Sequence, residues 1–140
     1  MASHLPVNHP LRPIYRLATA IGGVAAVVLG GAGVAKTVDQ PLFDQGDQVV
    51  FKLVPVNLGH SLLMLAGGVL LLLAVVIGRN VDAHFNLFFG GALMLIGIAS
   101  LAVMRTDANF LNFGMPNVVI AFLLGSLLLT AGLYGKVTRA

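Results

Sequence analysis

The sequence predicts an all-α fold, a bundle of four transmembrane helices with both termini on the cytoplasmic side. Three observations predict it: the quantity of apolar residues, their division into four blocks of membrane length, and the placement of Lys and Arg between the blocks. Of the 140 residues, 58% are hydrophobic and 9% charged, and the mean hydropathy is +0.96. A water-soluble domain of this size cannot hide so much apolar surface, so the excess faces lipid.

Because a helix rises about 1.5 Å per residue, crossing the hydrocarbon layer takes about 20 mostly apolar residues. Four stretches satisfy this: Leu17 to Ala35, Leu58 to Ile77, Phe85 to Met104, and Asn117 to Leu133. Pro116 stands at the start of the fourth, where a missing amide donor does least harm. Before the first span, SHLPVNHPLRP holds three prolines, which predicts an extended cytoplasmic segment over 1–16 with no helix before about Pro13. The transmembrane domain then covers 17–135 and a short cytoplasmic tail 136–140. A secretory signal is an alternative reading of the first block, opposed by the length of its apolar run.

Lys and Arg near span ends are retained in the cytoplasm. One side of the membrane collects Arg12, Arg16, Arg79, Lys136 and Arg139, and the other Lys36, Lys52 and Arg105. That bias sets the orientation. The second side also carries Asp39, Asp44, Asp47 and Asp107, which influence orientation little.

Composition excludes several classes of function. The net charge of +3 is scattered between apolar runs and forms no basic stripe, so nucleic acid is not an expected partner. With no cysteine in the chain, thiolate nucleophiles, thiolate metal sites and disulfides are absent. No Walker loop, GxSxG, HExxH or paired carboxylate occurs, and none of the four apolar stretches as bounded above contains Asp, Glu, Lys or Arg. A non-enzyme without a cofactor is therefore expected, and autonomous proton-coupled transport is disfavoured.

Helices in lipid associate where small residues let backbones approach. Candidate seams are Ala18, Gly22, Ala26 and Gly30, continuing to Gly33, in the first span, and Gly67 and Gly68 in the second, where Asn57, His60, Met64 and Gly68 share a face. The third offers Asn86, Gly90 and Gly97, and the fourth Asn117, Ala121, Gly125 and Gly132. They read as packing seams, and the first also as a surface for another membrane protein.

Among polar residues His60 stands out as an ionisable group within a span. Asn57 precedes it and Asn117 enters the fourth span from the same side, so a polar cluster of His60, Asn57 and Asn117 is expected. The bland reading is a neutral histidine hydrogen-bonded to Asn and backbone; the sharper one is a proton relay or a metal or quinone contact. His84 begins the third span from the opposite surface, which opposes haem ligation by two histidines. Met64, Met104 and Met115 are possible soft ligands for Cu(I), but methionine ordinarily fills apolar space. Phe43, Phe51, Phe110 and Phe113 in the two long connections suit an interfacial aromatic belt.

With VNLGH at Val56 to His60 leading into Gly67 and Gly68, and ANFL at Ala108 to Leu111, the chain resembles a bacterial family of small four-helix membrane proteins catalogued only as a domain of unknown function. The resemblance covers roughly Arg16 to Tyr134. Similar proteins often carry further histidines one turn along the second helix and in the fourth; here those positions hold Met64 and Ala121. A second similarity, to small four-helix proteins associated with quinol oxidases and redox complexes, rests on RLA at Arg16 and GVAK ending at Lys36. These likenesses imply the bacterial cytoplasmic membrane. The expected role is a non-catalytic accessory subunit of a larger complex such as a respiratory oxidase or supercomplex, its partners being the lipid bilayer and other integral membrane subunits. The alternative is a small transporter or ligand-binding membrane protein built around His60, which a cavity reaching that residue would favour.

Overall fold

Each of the four apolar blocks forms a helix long and apolar enough to cross a membrane. The computed structural model describes residues 10–78 and 80–135, in the order α1 (Arg12–Thr37), β1 (Val49–Val50), β2 (Val54–Pro55), α2 (Leu58–Ile77), α3 (Val81–Val103) and α4 (Met115–Tyr134). Residues 1–9 and 136–140 lie outside the described residues, and with them most of the expected terminal segment and the tail.

The bounds of α2 are those read from hydropathy, whereas α1 and α3 begin earlier than expected. Residues 12–16, expected to be extended, form the start of α1, with Pro13 in its first turn where the lost amide costs least. Twenty-six residues make a rod of about 39 Å, longer than the roughly 30 Å hydrocarbon layer, so its ends reach the headgroup zone. Between α2 and α3 the chain reverses through Gly78 at φ 66° and Asn80 at φ 68°. Both lie in the left-handed region, open to glycine and tolerated by asparagine.

The helices pack antiparallel as two tight pairs, α1 on α2 and α3 on α4, joined mainly along α1 and α4. The glycines explain the pairing. A Cβ on Gly30 would lie 2.4 Å from the Leu65 nitrogen, and one on Gly68 would lie 2.7 Å from the Val27 nitrogen, so the α1 and α2 backbones touch. Gly90 and Gly125 do the same for α3 and α4: a Cβ on either falls about 3 Å from the other's carbonyl oxygen. Gly97 makes room for Phe122 and Gly132 for Leu87. In lipid this close contact supplies dispersion energy that Leu against Leu does not.

The expected stripe on α1 divides. Gly30 faces α2, while a Cβ on Gly22 would meet the Leu124 and Leu128 side chains of α4. Ala26 is buried, but Ala18 is only half-buried, and its neighbour Thr19, fully enclosed, takes the inward position. Gly67 differs from Gly68: the nearest atom to its Cβ position is in the Phe89 ring at 3.6 Å, an ordinary contact. Between α2 and α3, bulky Phe88 and Phe89 border a cleft.

The two long connections cover one end of the bundle. The first contains a two-residue antiparallel hairpin with Val49 opposite Pro55 and Val50 opposite Val54. Its turn residues Phe51 and Lys52 both have positive φ, at 54° and 58°, the geometry of a type I′ turn. Beneath it Val50, Val54 and Val56 are buried against Leu29, Ala32 and Ile120.

Candidate functional site

Asn57 is the N-cap of α2, not a residue on its face: extended at φ −133° and ψ 176°, it accepts the His60 N–H on Oδ1 at 2.8 Å. Its amide donates to the carbonyls of Asp44 at 3.1 Å and Phe110 at 2.7 Å, so one side chain ties the cap to both long loops. Asn117, in the first turn of α4, accepts from the Gly114 N–H at 2.9 Å and donates to the Pro55 carbonyl at 2.7 Å. Asn109 and Asn112 extend the pattern, Asn112 bonding to the Gly46 and Val56 carbonyls and Asn109 closing its own loop on Met104 and Phe113. Phe43 and Phe110 meet edge to face at 5.4 Å, locking the loops further. These amides satisfy backbone groups that lipid and buried surroundings would leave unpaired.

The expected cluster of His60, Asn57 and Asn117 is therefore gathered at one end of the bundle, but in different roles. Both asparagines are committed to loop backbone. His60 is 7% exposed, and its ring packs on Phe113 with centroids 4.7 Å apart. Nδ1 is buried without a hydrogen-bond partner. The beneficiary of Asn57 is the His60 backbone, not its imidazole. Next to it, the Ser61 hydroxyl is also buried and unpartnered, pressed against Gly33 of α1.

His60 borders two spaces. One is a void of about 20 Å³ shared with Ser61, Asn117 and Phe113. The other is the cleft between α2 and α3, about 170 Å³, lined along α2 by His60, Met64, Gly67 and Leu71 and along α3 by Phe88, Phe89 and Ile96, with Leu111 and Phe113 as its roof. Met64 is thus a cleft residue, whereas Met104 packs in the cluster around Phe113 and Met115 is exposed. His84 lies at the opposite end, its Nδ1 2.6 Å from the Asn80 carbonyl.

That opposite end holds a second polar group, which the hydropathy reading placed in a loop. Asp82, in the first turn of α3, is buried, with Arg12 Nη2 and Arg16 Nε each 3.5 Å from its carboxylate. Arg16 also donates from Nη2 to the Val75 carbonyl at the end of α2. One turn along α3, Asn86 donates to Thr19 Oγ1 at 2.7 Å, and Thr19 donates to the Tyr15 carbonyl at 3.0 Å. Tyr15 stacks on Tyr134 of α4 at 6.2 Å. This group joins α1 to α2 and α3, and it corrects the expectation that the spans carry no charge: Arg12, Arg16, Lys36 and Asp82 all fall within helices, because the helices outrun the apolar core. The signal was available in Asp82 at the second position of a helix, where a carboxylate favours the helix dipole.

No curated protein and no solved structure matches the chain. A family model does match, over residues 16–134, which takes in all of α2, α3 and α4, all but the first turn of α1, the asparagine-tied loops, His60 and Asp82. The chain is a member of the family described as a domain of unknown function (DUF4383).

Proposed function

We propose that this protein is a non-catalytic, multi-pass component of the bacterial cytoplasmic membrane, acting as an accessory subunit of a larger membrane complex, with a respiratory oxidase or supercomplex as host. In this reading the short-turn end, rich in Arg, is cytoplasmic, and the asparagine-tied loops face outward.

The supporting observation is a pair of glycines. At the other glycines within the four helices an added Cβ would meet a neighbouring element, whereas at Gly31 of α1 and Gly91 of α3 it would meet nothing within 4 Å. Glycine in a helix costs about 1 kcal/mol relative to alanine unless its lack of a side chain is used. Contact with a helix of another polypeptide uses it.

The chain has no cysteine, so single cysteines can be introduced cleanly. Gly31→Cys and Gly91→Cys, each thiol labelled with a maleimide carrying a photoreactive diazirine, are expected to cross-link to other membrane polypeptides in native membranes on illumination, and Val76→Cys, at an 82% exposed position, is not. Recovery of the protein only as a free monomer or homo-oligomer, with no cross-link to another polypeptide at either glycine, overturns the reading.

A further inference from the structure

The cleft between α2 and α3 is lined at one end by His60, a residue 7% exposed whose Nδ1 is enclosed with no hydrogen-bond partner. We propose that this cleft binds an uncharged, lipid-soluble molecule made of a six-membered ring with an oxygen substituent and an alkyl tail. The ring lies among Phe88, Phe89 and Phe113, and its oxygen hydrogen-bonds to the His60 imidazole, which turns to present its unpartnered nitrogen to the cleft.

Four observations define this chemistry. The first is volume: about 170 Å³ compares with an engineered apolar cavity of about 150 Å³ that takes up benzene. The second is the wall, whose aromatic side chains offer stacking and edge contacts to a flat ring. Polarity is the third. The side chains lining the cleft are apolar apart from His60 and none is charged, so a phosphate or carboxylate would be buried without compensation. A plain hydrocarbon would leave the imidazole unmatched, whereas a single carbonyl or hydroxyl matches it. The fourth is access. Leu63 and Phe88 at the cleft edge are 59% and 70% exposed, so the opening faces laterally into the lipid. From His60 the cleft follows α2 toward Leu71 beside this lateral opening, so the alkyl tail leaves the cleft and lies in the bilayer.

Gly67 provides a plug that does not disturb the fold. Its Cβ position has only the Phe89 ring nearby, at 3.6 Å, so Gly67→Ala is accommodated and Gly67→Leu extends into the cleft. The experiment uses the full chain in phosphatidylethanolamine and phosphatidylglycerol nanodiscs, with 4-octylphenol as ligand probe and octylbenzene as its oxygen-free counterpart. Binding is read as the concentration-dependent rise in unfolding temperature that any ligand of the native state produces. The wild type and Gly67→Ala are expected to show a saturable rise with 4-octylphenol that octylbenzene does not reproduce. Gly67→Leu abolishes it, and His60→Leu weakens the apparent affinity about tenfold, the worth of one hydrogen bond. An equal rise with octylbenzene, a rise that persists in Gly67→Leu, or no rise in the wild type overturns the proposal. If His60→Leu fails to fold, the Gly67 variants and the two probes still decide it. The outcome is independent of whether the chain sits in a larger complex.

Discussion

Gly30 and Gly31 are neighbours on α1, at the same depth and with opposite surroundings, and they offer a direct test of how the bundle is held. A Cβ on Gly30 would lie 2.4 Å from the Leu65 nitrogen and 2.8 Å from both the Leu65 Cα and the Ser61 carbonyl oxygen. All three are backbone atoms of α2, so no change of rotamer relieves the clash. Ordinary contact begins at 3.4 Å, so the two helices must part by about 1 Å, the difference between 3.4 and 2.4. Parting them also loosens the neighbouring approach of Gly68 to Val27. Overpacking costs typically about 1–3 kcal/mol, and a backbone neighbour places Gly30→Ala at about 3 kcal/mol. Gly31→Ala meets nothing and gains up to about 1 kcal/mol of helix propensity. The two variants should therefore differ by about 3–4 kcal/mol. Reversible unfolding in mixed micelles titrated with dodecyl sulfate, followed by far-ultraviolet circular dichroism, measures the difference. If Gly30→Ala unfolds within about 0.5 kcal/mol of wild type, the range of an uninvolved surface substitution, then backbone contact between α1 and α2 is not what holds this pair.

Three further perturbations address the ends of the bundle. Asp82→Ala leaves Arg12 and Arg16 without their carboxylate and should cost about 2–3 kcal/mol, below the 3–5 kcal/mol of a fully buried pair because the Arg16 side chain is 40% exposed; replacing Arg12 and Arg16 with Met and Asp82 with Leu together should restore stability in the same titration. Asn57→Ala removes the α2 cap and two loop hydrogen bonds, an expected loss of about 2–3 kcal/mol, while Asn57→Ser keeps a cap acceptor without the loop bonds and should lose about 1 kcal/mol less. Equal losses in the two would show that the cap adds nothing. Changing Phe51→Asn together with Lys52→Gly supplies residues suited to a type I′ turn and should stabilise the protein by about 1 kcal/mol or more; destabilisation in thermal unfolding would instead mean that the exposed Phe51 ring is held by the membrane interface.

Hydropathy made the four helices legible because lipid imposes a length on each span regardless of its neighbours. The start of α1 was not legible: Arg12 and Arg16 look like flanking charges until Asp82 is brought beside them from another helix. Asn57 was recognisable as polar and near His60, but its sequence position fits both a helix face and a cap, and only its backbone conformation decides. The hairpin has strands of two residues and a turn without glycine, too little signal for periodicity to detect. The cleft could not be read at all, since it arises from what α2 and α3 fail to do. Glycine spacing in a single helix does not reveal which neighbour it will meet, and so Gly22 and Gly30, four-spaced on paper alongside Ala26, divide between α4 and α2.

The tight pairs are each made of consecutive spans, α1 with α2 and α3 with α4. The first pair, glycine against backbone, needs nothing made after α2, and closing it requires only the connection between its own two helices, residues 38–57, whose closure entropy grows slowly with length. The asparagine ties between the two long loops, by contrast, wait for Phe110 and Asn112 to be made. Maturation of this chain should thus proceed as two locally assembled halves followed by a late sealing step at the long-loop end, and a chain halted after α2 would already contain a finished half.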